Sequence, residues 1–358
     1  MIAELLERKA VCICAGPGGV GKTTTSASIA VGMAARGKKV AVLTIDPARR
    51  LADSLGLPEL GNEERRVEID VPGELWAMML DPKRTFDQLI EWHAPDEETR
   101  DAVLGNRIYK QLSSAVAGSQ EYMAMEKLLE LHQEGRYDLL VLDTPPTRSA
   151  LDFLDAPRRL GAFIDSRSLR LFTAPGRLGL NLVGRGTSAA FSMLGKAAGI
   201  DLLADLSEFF RSFGDMAGGF RERAERVNQL LADRHTAFLV VTSPRPDAID
   251  EAMYLHHRLL DAGLPFGGVV VNRVHPVEAR ATARGLAEVL GSELAGRVEA
   301  NLEDYKRLAE HERRDLEGLR RRLGRRPMIQ VPELEDEVHD IDSLRRVEQH
   351  LFGSGGTG

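Results

Sequence analysis

The residues with the clearest chemistry sit close to the N-terminus, in Gly16-Pro17-Gly18-Gly19-Val20-Gly21-Lys22-Thr23. Glycine, four residues, then Gly-Lys-Thr is the spacing of a Walker A phosphate loop. Glycines let successive backbone N–H groups converge on phosphate oxygens without Cβ clashes. Here Gly18, Gly19, Val20 and Gly21 would form that cradle. Lys22 would reach the β- and γ-phosphates of ATP, and the Thr23 hydroxyl would ligate Mg²⁺. Two carboxylates could complete such a site. Asp143 closes the apolar run Leu139-Leu140-Val141-Leu142 and would hold a water on Mg²⁺, as a Walker B aspartate does. Aspartates also end strands for turn reasons alone, and the Thr144-Pro145-Pro146-Thr147 that follows weighs against that reading. Asp46 ends Thr44-Ile45-Asp46-Pro47-Ala48 and could orient an attacking water. With an ordinary pKa of about 3.9 an aspartate is a weak base, so it would act by positioning. A turn or cap aspartate is an equal reading of Asp46 from position alone.

These groups need strands to hold them. Short runs of β-rich residues recur at 10–14, 39–45, 75–80, 139–142, 237–242, 268–271 and 328–331. Most are continuously apolar rather than alternating, as expected of strands covered on both faces. The spacings between them leave room for crossover helices. The fold class is therefore α/β, a doubly wound, mostly parallel sheet of P-loop NTPase type with an inserted helical subdomain. The phosphate loop follows the first strand and precedes a helix over about 23–35, so that the helix N-terminus adds positive partial charge at the phosphates.

The expected organisation is an ATPase core over 1–80, a helical insert over 81–135, core again over 136–150, a second helical insert over 151–233, and the C-terminal core over 234–352. A Gly-rich tail occupies 353–358. There is one phosphate loop and no second copy, so the chain is not a tandem duplication. Glycines at 176, 179, 184 and 186 predict a mobile segment in the second insert. Between Tyr305 and Arg326 an arginine cluster (Arg320, Arg321, Arg322, Arg325, Arg326) follows Glu310, Glu312, Asp315 and Glu317, which reads as a solvated helix with internal pairs.

Bulk properties narrow the partners. The 358 residues are 43% hydrophobic and 28% charged, with a net charge of -7. That gives material for a sizeable core but no global basic field to draw the chain to nucleic acid. The only cysteines, Cys12 and Cys14, stand two apart in a strand-like run and read as small buried residues rather than a metal or redox pair. The N-terminus lacks the apolar stretch of a signal peptide, and no uncharged apolar run reaches the ~18 residues needed to span a bilayer. A cytoplasmic location is expected, with no direct membrane insertion.

Taken together, Gly18-Gly19-Val20-Gly21-Lys22-Thr23-Thr24, Asp46-Pro47-Ala48 with Leu51 and Asp53, and Asp143-Thr144-Pro145-Pro146-Thr147 resemble the arsenite-pump (ArsA) ATPase family. That family includes the ATPase that targets tail-anchored membrane proteins, and it belongs to the deviant Walker A group. The resemblance runs from Val11 to about Phe352. It implies an ATPase cycling between ATP and ADP with Mg²⁺, working as a dimer. It places Thr24 in the phosphate loop, makes Asp46 a switch aspartate assisting hydrolysis, and makes residues 143–147 a second switch. It also implies that Asn272 reads adenine and that Pro332 lies in a loop packed near the base. From its sequence position alone, Asn272 reads as a strand-end cap.

Several positions depart from the family pattern. Pro17 stands where the family usually carries a lysine that crosses the dimer interface to the partner's phosphates. A group supplied in trans can be worth ~10³ or more in rate. Slow hydrolysis by a homodimer, a substituting group, and pairing with a lysine-bearing paralogue are the alternatives. A Cys-x-x-Cys zinc clasp is absent, and so are the thiolates that arsenite would need. Arg245 and Arg148 also depart from the expected residues. The leading functional reading is a nucleotide switch coupling ATP state to a hydrophobic client, such as a membrane-protein helix, or to a partner. Apolar residues at 180–194 together with Met123 and Met125 are the candidate client surface. The alternative is a slow or inactive nucleotide-binding regulatory subunit paired with a paralogue. A DNA- or membrane-riding partitioning ATPase is disfavoured by the acidic stretch from Glu333 to Asp342 and by the long helical inserts.

Overall fold

The computed structural model describes residues 2–46, 48–107, 109–110, 119–144, 200–276 and 291–353. Pro47, the run from Pro145 to Arg148, the glycines at 176–186 and the apolar stretch at 180–194 lie outside these. The chain divides into two compact units, one gathering residues 1–79, 135–150 and 232–358, the other 80–134 and 151–231.

The first unit is built on an eight-stranded sheet in the order β3-β4-β2-β5-β1-β6-β7-β8. The strands are β1 (Val11–Ala15), β2 (Lys39–Thr44), β3 (Arg65–Val67), β4 (Glu74–Met79), β5 (Leu139–Asp143), β6 (Thr236–Thr242), β7 (Phe266–Val274) and β8 (Met328–Pro332). All neighbours pair in parallel except the edge strand β3, which runs antiparallel to β4. Every residue of β1, β5 and β6 is buried, which is why their sequences run continuously apolar. The edge strand β3 escapes the sequence reading for the opposite reason. It is three residues long, two of them exposed arginines, and it carries no apolar run.

Among the described residues, the helices of this unit are α1 (Ile2–Leu6), α2 (Lys22–Ala34), α3 (Arg50–Ser54), α8 (Pro246–Asp261), α9 (Ser292–Leu323) and α10 (Ile341–Phe352); helices α4 to α7 are given with the second unit. The C-terminal helix α10 packs on α2, the helix that follows the phosphate loop. Leu344, Val347, Leu351 and Phe352, at helical spacing, are all buried there, each worth roughly 2 kcal/mol. A capping box starts α10. The Ser343 N–H donates to Asp340 Oδ1 (2.7 Å) and the Asp340 N–H to Ser343 Oγ (3.1 Å). Helix α9 is the charged helix expected from the sequence, though longer. Its charges pair along it, as in Arg307–Glu303 (3.6 Å) and Arg313–Glu317 (4.0 Å), and Arg322 reaches Asp250 on α8 (3.1 Å). Cys12 and Cys14 are both fully buried in β1.

The second unit is helical, with α4 (Pro82–His93), α5 (Glu97–Gly105), α6 (Ser119–Glu134) and α7, which begins at Ile200 and ends at Ala232. Asp81 caps α4 by accepting from the Lys83 and Arg84 N–H groups, with Pro82 at the first helical position. Helix α6 packs on α4. Tyr109, Tyr122, Met123, Met125 and Phe220 are all buried. The candidate client surface is corrected at two positions: Met123 and Met125 belong to the core of this unit. A carboxylate, Glu126, is also buried there. It accepts from Arg223 Nε (2.7 Å) and from the Tyr122 hydroxyl. Among the described residues, no helix is long and apolar enough to cross a membrane.

Candidate nucleotide site

Sheet topology assembles the site. Strand β1 sits centrally, and the chain leaves it first toward β2 and later toward β6, so the loops diverge at the carboxyl ends of the strands. Register does the rest, because Asp143 lies level with Cys14 of β1 on one side and Thr44 of β2 on the other. The last residue of β5 therefore projects between the phosphate loop and the end of β2.

Its carboxylate is fully buried. Oδ2 accepts from the Thr23 hydroxyl (2.8 Å) and the Thr44 hydroxyl (3.0 Å), while Oδ1 has no hydrogen-bond partner among the described residues. Burial pushes the Asp143 acid up to about 6, against the pull of the two hydroxyls and of Lys22. A buried carboxylate with one oxygen left over, bonded to the hydroxyl that would ligate a cation, fits a divalent ion. Lys22 is buried as well, and its Nζ donates to the Pro17 carbonyl across the loop (2.8 Å). Burial lowers its ammonium from the usual lysine range, and Asp143 is the foremost of the carboxylates that counter this. Thr25 Oγ1 donates to the Gly21 carbonyl (2.9 Å), fastening the first turn of α2. Gly21 sits at φ +90°, a left-handed conformation that a side chain would strain.

Asp46 both makes a local turn bond and faces the cavity. Oδ1 accepts from the Ala48 N–H (3.0 Å), a local turn bond, while the carboxylate lines the same cavity as Lys22 and Thr23. Arg50 lies 3.8 Å from Asp46 Oδ2 and lines that cavity too. The sequence reading passed over Arg50. The only signal for it was its place two residues beyond the Asp46-Pro47-Ala48 stretch.

The cavity measures about 770 Å³, room for a nucleotide, and Gly19, Gly21, Lys22, Thr23, Thr24 and Asp46 form one part of its wall. Asn272, Pro332 and the consecutive residues 333–339 form another. Asn272 is corrected from a strand-end cap to a buried residue within β7, because the strand runs on to Val274. Its Nδ2 donates to the Val20 carbonyl (3.0 Å). Arg273 beside it has φ +63°, a left-handed conformation that costs a non-glycine residue about 1 kcal/mol or more. The β7–β8 register is broken between Val271 and Val274. Past the bulge, Glu312 of α9 grips His275 twice, accepting from its N–H (3.0 Å) and lying 2.8 Å from Nδ1. Arg245 is exposed and bonds Asp247 (Nε to Oδ1, 3.1 Å), and it is not among the residues lining the cavity.

The family model for the Anion-transporting ATPase (ArsA ATPase) matches residues 9–353. The chain belongs to this family. As an anion-transporting-family ATPase it is an enzyme that binds nucleotide. Its relatives include an arsenical pump-driving ATPase 1 from Aquifex aeolicus, 26% identical over 361 residues that cover 96% of this chain and 78% of that protein. The ATPase GET3 of Malassezia globosa is 31% identical over 208 residues, 56% of this chain and 59% of that protein. The ATPase get3 of Aspergillus terreus is 28% identical over 261 residues, 72% and 71% respectively.

Proposed function

We propose that this ATPase is a nucleotide switch, in which the state of a bound Mg²⁺–ATP or ADP is coupled to client or partner binding through the helical unit, in the cytoplasm. The observation that carries the reading is the convergence of Lys22, Thr23 and Asp46 on one cavity at the carboxyl ends of the strands, with the buried Asp143 carboxylate bonded to the Thr23 hydroxyl behind its wall. Thr23 would ligate Mg²⁺ directly and Asp143 through a water. The ion would supply charge neutralisation at the phosphates. Lys22 would leave the Pro17 carbonyl for phosphate oxygens. Asp46, already oriented by its bond from Ala48, would hold the attacking water rather than take its proton.

The relatives named GET3 motivate a dimer and a hydrophobic client such as a membrane-protein helix. With Met123 and Met125 in the core, client contacts would have to come from elsewhere in the helical unit. The test is single-turnover ATP hydrolysis by wild type and Asp46→Asn, with and without a lysine-bearing paralogue. The switch predicts that the variant binds ATP but slows at least ~10²-fold, the range of a positioned catalytic group. Equal inertness of both proteins under both conditions would sink the hydrolytic reading in favour of a nucleotide-binding regulatory subunit. A pull-down with ATP-bound Asp46→Asn protein asks separately whether a hydrophobic client or a paralogue co-purifies.

A further inference from the structure

The Asn272 amide touches the protein at a place that a base-reading residue has no need to touch. Its Nδ2 donates to the Val20 carbonyl, 252 residues away in sequence and one residue before Gly21. The fit is close. A Cβ placed on Gly21 would come within 2.2 Å of Asn272 Nδ2, so the loop approaches the amide as nearly as glycine allows. The backbone of β7 is shaped for this contact. The register break between Val271 and Val274 and the left-handed Arg273 re-aim the strand at Asn272, as β-bulges do. On the far side the bend is held by the double grip of Glu312 on His275 and by the Glu333 N–H donating to the Val274 carbonyl (3.0 Å). The bond also orients the amide, because only its nitrogen can meet a carbonyl.

We propose that Asn272 is a positioning residue for the phosphate loop: it holds the Val20 carbonyl, and with it the Val20–Gly21 turn that aims Lys22 and Thr23, whatever base the ligand carries. The inference rests on the nucleotide site described above and adds a duty that is independent of the base. It therefore predicts that Asn272 matters to a ligand with no base at all.

The experiment is calorimetric titration of the full chain with Mg²⁺–ADP, Mg²⁺–inosine diphosphate and Mg²⁺–tripolyphosphate, using wild type, Asn272→Ala and Asn272→Asp. Losing one buried hydrogen bond corresponds to about a two- to tenfold drop in affinity, expected for all three ligands with Asn272→Ala. Asn272→Asp sets a carboxylate oxygen against the Val20 carbonyl and should cost more than about tenfold for all three. Asn272→Thr suits a strand but is too short to reach Val20. It replaces the alanine variant if that fails to fold, as judged by thermal melting, and should show the same common loss. Weakened ADP binding with inosine diphosphate and tripolyphosphate unchanged would overturn the proposal and leave Asn272 a base reader only. Unchanged binding of all three would overturn it as well. If wild type bound none of the ligands, the nucleotide reading itself would fall, and the inference with it.

Discussion

Replacing Asp143 by asparagine should stabilise the nucleotide-free protein while removing its response to Mg²⁺–ATP. The carboxylate is fully buried, and its acid is raised from an ordinary 3.8 to about 6. A shift of about two units is worth about 3 kcal/mol in favour of the neutral form, as an order of magnitude. The sign follows from proton counts. Between the unfolded and folded values the native state binds more protons than the unfolded chain, so this group's contribution to stability falls as pH rises from about 4 to about 6 and stays at its lowest above that. An amide avoids the ionisation and can turn its oxygen toward the Thr23 and Thr44 hydroxyls that now meet Oδ2. Asp143→Asn keeps the side chain's volume and shape, so the gain at pH 7.5 should be about 1–3 kcal/mol, shrinking toward zero near pH 4. Denaturant unfolding of both proteins across that pH range, with and without Mg²⁺–ATP, makes the measurement. Nucleotide should raise the wild-type midpoint and leave the variant's unmoved. A nucleotide-free variant less stable than wild type at pH 7.5, yet still stabilised by Mg²⁺–ATP, would refute both the burial argument and the metal assignment.

Other expectations test the frame around the site. Gly32→Ala in α2 should destabilise the protein despite a helix-propensity gain of about 1 kcal/mol, because a Cβ there would lie 2.4 Å from the Phe352 ring and 2.7 Å from Glu348 Cγ; Phe352→Leu should relieve part of the loss in thermal melts. Arg223→Met leaves the buried Glu126 carboxylate without its cation and should cost about 3 kcal/mol in urea unfolding, most of it recovered when Glu126→Gln is added. His256 is buried against Phe266 with neither ring nitrogen bonded among the described residues, and burial lowers its pKa from 6.5. The unfolded chain therefore takes up a proton that the fold resists, so stability should fall as pH drops below about 6.5, and His256→Leu should flatten that slope in pH-dependent unfolding.

How much of this was legible beforehand depended on what each residue does locally. The phosphate loop was, because its function requires fixed residue types at fixed spacing beside a strand and a helix. The central strands were, because burial on both faces leaves an unbroken apolar run. Edge strand β3 was not, since an exposed three-residue strand with two arginines has no periodicity to read. Arg50 enters the cavity through tertiary geometry alone. Met123 and Met125 show the reverse failure: a methionine pair reads equally as adaptable surface or as filler, and only packing decides.

Asn272 draws these lines together. Its type in a late strand was readable, but its partner is a backbone carbonyl 252 residues earlier, and nothing in the Val20 side chain marks that carbonyl as an acceptor. The bend that aims it comes from a left-handed arginine, a conformation that no composition rule assigns to Arg273. The strain persists because Glu312 and Glu333 hold the chain beyond it through His275 and Val274. A residue type can thus be read from sequence while its partner is set by the backbone it grips. In this ATPase the cavity wall at β7 and the Gly-rich loop after β1 are joined through one amide.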